Sequence, residues 1–327
     1  MRFALPGGRG GLDPRGPVPT LELARGADES GYECLWFAEQ QLNTAGPRYQ
    51  RSPLVAAAAV AAVTRRIRVG FSALLPALHD PVRLAGDIAT LDALSGGRVN
   101  LGVGWPDPRL PNPFARRGEA EATLPDRLDT LLGYWAGQPA VVDGVDYEIA
   151  PTLQQPHPPV YVTARDDDAI TWAAGRGYGL ILPGGRKPSS VRRGLDLFSS
   201  SGGNPDEVPV ERFCLIAESD TEARRRAEPL IERLTSQLAR SRPERAQAGD
   251  EDLDPGHFLR DTALVGSPET VARLVGELRD ELGVQYVNLR PSIGGNCPPE
   301  LQAVTVELFA TEIMPRYTSA VPRGAGQ

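Results

Sequence analysis

Short apolar runs alternate with helical patterns along the whole chain, and this alternation constrains the fold more than any other feature. The runs are rich in β-branched and aromatic residues, and most of them are continuously apolar. They cover residues 2–5, 34–38, 67–74, 98–104, 160–164, 179–183, 212–217 and 284–290. Strands that are buried on both faces have this composition, and strands that alternate with helices form parallel sheets. The sequence therefore predicts eight parallel strands.

The starts of three intervening helices are marked by a capping residue followed by proline. These pairs lie at residues 52–53, 80–81 and 267–268, and the last of the three helices has a stop signal at Gly283. Serine or aspartate at the N-cap and proline in the first turn both favour a helix start. In the second helix the helical period predicts a face that packs on the sheet, formed by Leu84, Ile88, Leu91 and Leu94.

Eight strands with helices between them in 327 residues predict a (β/α)8 TIM barrel. We expect a single domain over residues 1–320 with a short tail at 321–327. Two stretches, 105–159 and 218–283, exceed a plain βα unit and predict insertions after strands 4 and 7. Each could wall or cover a site, and the second could equally be a solvated tether. A doubly wound open sheet is the alternative, although no glycine-rich fingerprint follows the first strand.

Composition excludes several classes of partner. The net charge of −7 argues against nucleic acid or an anionic membrane as a ligand. The longest apolar run, residues 54–63, is about half the roughly 20 residues that span a bilayer. The three cysteines form no C-x-x-C pair, and the first residues contain no secretory apolar segment. We expect a soluble, cytoplasmic protein with reduced thiols.

Four segments in order resemble the bacterial-luciferase-like family of flavin- and deazaflavin-dependent oxidoreductases. They are GADESGYECLWFAEQ, the block from SPLVAAAAVAAV to RVNLGVG, YEIAPTLQQPHPPVYVTA, and GSPETVARLVGELRDELGVQYVNL. The resemblance implies a (β/α)8 barrel that binds FMN or coenzyme F420 in its mouth. It also implies monooxygenation or hydride transfer on a small organic substrate, a homodimer, and a flavin reductase or a paralogous subunit as partner. We further expect a role in specialised metabolism.

The resemblance places the catalytic candidates at the ends of the second and third strands. Relatives carry a catalytic histidine where this chain has Gln40, and an amide can orient a group but cannot transfer a proton near neutral pH. Glu39 ends an apolar strand and is the best candidate for a perturbed carboxylate. His79 follows the third strand and could reach the mouth. We therefore expect Glu39, Gln40 and His79 to form the catalytic set.

The resemblance also places residues that would hold the cofactor. Ser72 and Ala73 match the segment that supports the isoalloxazine ring, where some members carry a non-proline cis peptide. Trp105 stands where several relatives place an arginine on the cofactor phosphate, and it offers stacking surface and one N–H donor without charge.

Two further segments are candidate anion sites. At the predicted phosphate position after strand five, Arg165 precedes three aspartates at 166–168, which would repel a phosphate unless they only cap an exposed helix. After strand six, Gly184 and Gly185 precede basic and hydroxyl residues, and such a loop either cradles a phosphate or forms an exposed turn.

Three functions fit these observations. The first is a luciferase-like oxidoreductase that uses reduced FMN or a deazaflavin. The second is a cofactor-independent enzyme on the same barrel, with flavin binding lost. The third is a non-catalytic subunit that supports an active paralogue. No two histidines have the spacing of metal ligands, so we expect no metal site.

Overall fold

The computed structural model describes residues 1–7, 18–39, 52–105, 123–148, 152–164, 166–241, 253–291 and 297–318, and the predicted sites Gln40 and Arg165 lie outside them. These residues form an α/β fold in which helices separate the strands of a curled parallel sheet. The sheet strands are β1 (Arg2–Pro6), β2 (Cys34–Phe37), β3 (Arg68–Phe71), β4 (Val99–Val103), β7 (Val160–Thr163), β8 (Gly179–Ile181), β9 (Pro209–Ile216), β10 (Ala263–Gly266) and β11 (Tyr286–Arg290).

The helices pack on the outside of the sheet and bury their apolar faces against it. They are α1 (Val18–Ser30), α2 (Pro53–Val63), α3 (Pro81–Ser95), α4 (Leu124–Trp135), α5 (Asp167–Gly175), α6 (Pro188–Ser200), α7 (Asp220–Ser241), α8 (Pro255–Asp261), α9 (Pro268–Leu282), α10 (Pro299–Leu308) and α11 (Met314–Tyr317). One turn of π-helix, Phe309–Ile313, joins the last two. The core of the molecule is therefore the layer between the sheet and these helices.

Strand order shows that the sheet curls. Neighbours in the sheet run β10-β9-β11-β1-β2-β3-β4-β7-β8, all parallel. A parallel bridge also joins Leu182, just after β8, to Val210 in β9. Trp36 of β2 packs edge-to-face on Tyr161 of β7 at 5.2 Å between ring centroids, although β3 and β4 lie between their strands. Side chains of separated strands can meet in this way only on the concave face of a curled sheet.

Each of the eight predicted strands is present, and three strands were not predicted. β10 is only four residues long, and β5 (Ala140–Val142) and β6 (Val145–Tyr147) form a separate antiparallel hairpin. The hairpin leaves Val141, Val145 and Tyr147 exposed, so its strands lack the continuous apolar pattern of a buried strand. All three strands lie in the two long segments that were predicted as insertions, which also contain α4, α7, α8 and α9.

The capping signals are largely confirmed. The Asp80 side chain accepts a hydrogen bond from the backbone N–H of Arg83, and Ser267 accepts one from Thr270. Gly283 ends α9 in the left-handed conformation, with φ of 72°. Ser52 occupies the N-cap position of α2 but makes no capping hydrogen bond through its side chain.

One predicted core residue of α3 is wrong. Leu84, Ile88 and Leu91 are buried, whereas Leu94 is 61% exposed. At about 100° per residue, Leu94 lies roughly 80° from the direction of Leu84, while Ser95 returns to within about 20° of it. Ser95 is accordingly buried in place of Leu94.

The turn before β3 is fixed by buried polar groups. The carboxylate of Asp28 accepts hydrogen bonds from the backbone N–H groups of Arg65, Arg66 and Ile67, at 2.6–2.9 Å. Burial alone would raise the pKa of Asp28, but these three donors bring it below the ordinary value. The guanidinium of Arg98 donates to the carbonyl of Ile67 at 2.6 Å. This polar network orients α2 and β3 below the site.

Within the described residues, no helix has the length and the apolar character that crossing a membrane requires. The same residues contain no group of three or more histidine, cysteine or acidic side chains placed to hold a metal ion.

Candidate active site at the carboxyl ends of the strands

Hydrogen bonds extend the ladder of β2, β3 and β4 beyond the strands and fix the backbone of the site. The N–H of Ser72 donates to the carbonyl of Phe37 at 2.7 Å, and the N–H of Glu39 donates to the carbonyl of Ala73 at 3.0 Å. On the other side, the N–H of Leu74 donates to the carbonyl of Gly102 at 2.8 Å. The peptide bond between Ser72 and Ala73 is cis. The two residues predicted to support a cofactor ring are therefore held between both neighbouring strands.

Glu39 and His79 form a pair at this edge. Nε2 of His79 lies 2.9 and 3.0 Å from the two carboxylate oxygens of Glu39. The same carboxylate accepts a hydrogen bond from the backbone N–H of Leu75 at 2.9 Å. The Glu39 side chain is fully buried, whereas the His79 side chain is 22% exposed. A buried carboxylate thus holds one nitrogen of a partly exposed imidazole.

Small residues form a shelf beside this pair, made of Ala73, Gly104 and Thr163 at the ends of β3, β4 and β7. A Cβ added to Gly104 would lie 2.9 Å from Cβ of Ala73 and 3.8 Å from Cβ of Thr163. A side chain at position 104 would therefore clash with Ala73 unless one of them moved. Because Gly104 carries no side chain, the backbone at the end of β4 lies close to Ala73 and Thr163.

Trp105 packs against α5. Its ring lies edge-to-face on Trp172 of that helix, with 6.2 Å between centroids, and Trp172 in turn contacts Tyr178 at 5.7 Å. The residue is half-buried against the core. The structure therefore places Trp105 at the end of β4, beside the shelf, as the first ring of an aromatic series.

Three carboxylates surround the N-terminus of α5. The Asp166 side chain caps the helix by accepting a hydrogen bond from the N–H of Ala169 at 2.9 Å. Asp167 forms an ion pair with Arg193 of α6, and Asp168 is exposed in the same turn. The positive end of this helix dipole is thus already compensated by acidic side chains. This terminus does not fit a phosphate dianion.

The loop after β8 packs against residues of the site and is not an exposed turn. A Cβ on Gly184 would be 2.6 Å from a carboxylate oxygen of Glu211, and Gly185 has φ of +77°, which favours glycine. The half-buried side chain of Arg186 donates to the carbonyl of Ala164 at 2.9 Å, at the end of β7. The loop therefore brings a cation to the edge of the sheet next to the shelf.

Aromatic residues fill the concave face below the shelf. Trp36 lies between Tyr161 and Tyr286, and its indole N–H donates to the Tyr286 hydroxyl at 3.2 Å. Burial raises the pKa of Tyr161 to about 12 and the pKa of Tyr286 well above its ordinary value. Both phenols stay neutral, so this aromatic layer packs the interior and takes no part in acid–base chemistry at neutral pH.

A polar layer lies beyond the aromatic layer, two residues further along the strands toward their carboxyl ends. It was not predicted from the sequence. Glu211 of β9 and Arg290 of β11 form an ion pair with side chains 10% and 15% exposed. Thr163 and Asn288 contribute polar atoms that make no hydrogen bond within the described residues. The signal in the sequence was the alternation Tyr286, Asn288, Arg290, since residues two apart share one face of a strand.

The structure thus brings together Glu39, His79, Ser72 and Ala73 on the β2–β4 side of the edge. Trp105 lies at the end of β4, and Gly184 and Gly185 lie across the sheet beside Glu211. Sites at the carboxyl ends of parallel strands are typical of α/β enzymes with curled sheets. The fold and the site define an enzyme of this class.

The comparison with family models gives the family. The model for luciferase-like monooxygenases matches residues 2–286. The chain belongs to the luciferase-like monooxygenase family, as the four motifs in the sequence predicted.

Individual relatives agree with this assignment. An uncharacterized protein of Mycobacterium tuberculosis is 39% identical over 126 residues, which are 36% of this chain and 45% of the relative. The alignment thus spans about half the length of the curated relatives that match first. The solved structure of monooxygenase RslO1 from Streptomyces bottropensis is 27% identical, with a TM-score of 0.76, and the match covers 97% of this chain and 100% of that one.

Two more distant structures share the fold. The oxygenating constituent of 3,6-diketocamphane monooxygenase from Pseudomonas putida, in complex with FMN, is 20% identical with a TM-score of 0.74 and covers 97% of this chain and 99% of that one. A coenzyme F420-dependent tetrahydromethanopterin reductase from Methanopyrus kandleri is 19% identical with a TM-score of 0.68 and covers 97% and 98%. At these identities the likeness concerns the fold alone.

Proposed function

We propose that the protein is the oxygenase component of a flavin-dependent monooxygenase. It would take reduced FMN from a separate flavin reductase and oxidise a small organic substrate in the mouth of the sheet. The observation that carries this proposal is the shelf of small residues, Ala73, Gly104 and Thr163, at the same edge of the sheet as the Glu39–His79 pair. Small residues next to an oriented imidazole would suit a planar cofactor and a reaction that needs a proton donor or acceptor.

The residues present fit the ring of a flavin better than they fit its phosphate at the usual place. The shelf offers contact to one face of a planar ring, and Trp105 flanks it. The acidic N-terminus of α5 would repel a phosphate, whereas Arg186 carries a positive charge beside the shelf. The cofactor tail would accordingly lie toward Gly184, Gly185 and Arg186. Coenzyme F420 is the second candidate for the same shelf.

Reduced FMN, when bound, would supply the electrons that activate oxygen. The chain's own contribution would be acid–base and positional. Glu39 holds Nε2 of His79, which leaves Nδ1 to give or take the proton that accompanies oxidation. In this proposal the acid–base group is His79, forty residues after Glu39, and the amide of Gln40 would have an orienting role.

The proposal is tested by titrating the purified protein with FMN, reduced FMN and F420 and following fluorescence. We expect reduced FMN at micromolar concentration to quench the tryptophan fluorescence of the protein. Gly104→Val should abolish binding, since its side chain would fill the shelf. Gly175→Ala is the matched control, because a Cβ there meets no atom within 4 Å. Absence of binding for all three ligands at near-millimolar concentration would refute the proposal.

A cofactor-independent enzyme on the same fold is the second candidate. The observation that favours it is the acidic cap of α5, where Asp166 and Asp167 already satisfy the helix end and Arg193. In that case Glu39 and His79 would act directly on the substrate, and the titration above would fail while turnover of the true substrate persisted. A non-catalytic subunit would show neither binding nor turnover alone.

We also infer that the eight predicted strands close a (β/α)8 barrel, with β10 as an addition. The bridge from Leu182 to Val210 supports this, because it joins β8 to β9 directly. A homodimer is proposed as well. Its support is α2, which is apolar on every side and yet leaves Val55 69% exposed.

A further inference from the structure

The polar layer faces the inside of the curled sheet. Tyr286 belongs to the aromatic layer, and Asn288 follows two residues later on the same face of β11. Ala4 of β1, another member of the interior cluster, is the register partner of Asn288 on one side. On the other side the partner is Glu211 of β9. The Asn288 amide therefore lies inside the sheet, one layer nearer the carboxyl ends than the aromatic rings.

The oxygen of this amide is buried without a hydrogen-bond partner. Asn288 is 2% exposed, and its Oδ1 is fully buried yet accepts no hydrogen bond from the residues that the structure describes. At the end of β7, Oγ1 of Thr163 is in the same state. Buried polar groups in proteins almost always have a hydrogen-bond partner, because an unpaired group loses its hydrogen bonds to water without forming new ones. Two such groups above one floor indicate that a ligand completes them.

The charge of the layer limits the ligand to a neutral group. Glu211 and Arg290 are paired with each other, so the layer carries no net charge. A charged group brought into this interior would find no compensating partner, so its burial would cost free energy. The side-chain amide of asparagine presents an N–H donor and a C=O acceptor next to each other. A ligand group that also presents an N–H next to a C=O can form hydrogen bonds with both.

We propose that Asn288, together with Thr163, forms a substrate subsite for a neutral amide-like edge, such as a lactam or an imide. The position of Asn288 places such an edge on the concave face of the sheet, one layer nearer the carboxyl ends than the aromatic rings. The inference rests on the proposed function in taking the mouth of the sheet as the substrate pocket. It adds the class of substrate, which neither the family nor the fold specifies.

The test uses two ring-matched probes, δ-valerolactam and cyclohexanone, which differ by the N–H that Asn288 Oδ1 would accept. Binding to the full chain is measured by ligand-observed NMR. We expect the lactam to bind at least about tenfold tighter than the ketone, and Asn288→Leu to remove this preference. Asn204→Leu, at an exposed asparagine, is the matched control. Thr163→Val serves as a second variant if Asn288→Leu does not fold.

The melting temperature separates a binding role from a structural one. An unpaired amide kept for a ligand destabilises the free protein, so Asn288→Leu should raise the melting temperature while it removes lactam binding. Equal binding of lactam and ketone by the natural chain would overturn the inference. So would a lactam-soaked crystal structure with only water on the Asn288 amide, or unchanged preference in the variants. None of these measurements uses flavin. A failure of the lactam test can therefore be distinguished from a failure of the flavin titration.

Discussion

At the scale of single residues, the carboxylate of Glu39 makes three contacts with two partners, Leu75 and His79. Its oxygens accept a hydrogen bond from the backbone N–H of Leu75 and contact Nε2 of the His79 imidazole. The resemblance in the sequence implied a histidine one residue after the glutamate, where this chain has Gln40, whereas the imidazole beside Glu39 comes from the segment after β3. Under the proposed function this pair would supply the acid–base group that Gln40 lacks.

We expect Glu39→Gln and His79→Gln each to lower kcat by a factor of about 10²–10⁴, the usual worth of a positioned acid–base group. Flavin binding should persist, because neither side chain forms the shelf. The measurement is steady-state turnover together with the fluorescence titration.

A second histidine–carboxylate pair provides the control for this prediction. His257 and Asp261 lie 3.0 Å apart on α8. Asp261→Asn should leave kcat unchanged. Loss of turnover in that variant, or full turnover in Glu39→Gln, would contradict the assigned roles.

At the scale of elements, the close approach of β3 and β4 depends on a glycine. A Cβ on Gly102 would lie 1.7 Å from the backbone carbonyl oxygen of Phe71. Backbone cannot move aside as a flexible side chain can, and these two strands carry Ser72, Ala73 and Gly104. The geometry of the shelf thus rests on one position inside β4.

Gly102→Ala should therefore destabilise the fold by about 3 kcal/mol or more, through displacement of the strand pair. Gly26→Ala is the matched substitution in α1, where an added Cβ meets no atom within 4 Å. It should stabilise by about 0.5–1 kcal/mol, because alanine favours a helix interior over glycine. Urea unfolding of both variants measures the two effects. Similar changes in both would contradict the role given to Gly102.

At the scale of the whole molecule, two large apolar side chains remain exposed on adjacent helices. Val55 of α2 is 69% exposed, and Leu94 of the adjacent α3 is 61% exposed. A helix that is apolar all round is ordinarily buried, and exposed apolar surface of this kind marks a site of association. The homodimer proposed above would cover this side of the molecule.

Val55→Asp should convert a dimer of twice the 35.1 kDa chain mass into a monomer, because it places a charge in the apolar contact. Sedimentation equilibrium measures the mass. Val304→Asp is the control, since Val304 is a 43% exposed valine on α10, away from α2. A monomeric natural chain, or dissociation by Val304→Asp instead, would refute the proposed interface.

The sequence by itself determined eight of the parallel strands and three helix starts, because apolar runs and capping residues act over a few neighbours. It also determined the family, through motifs that lie along these same elements. The exposure of Leu94 shows the limit, since the edge of a helical stripe depends on what packs beside it.

Only the tertiary structure decided the site. The pairing of Glu39 with His79 and of Glu211 with Arg290 depends on the curl of the sheet and on the register of separate strands. The short strand β10 forms because β9 offers it a partner. The unpaired amide of Asn288 is visible only once its neighbours are in place. These contacts join residues distant in the chain, so no local pattern could specify them.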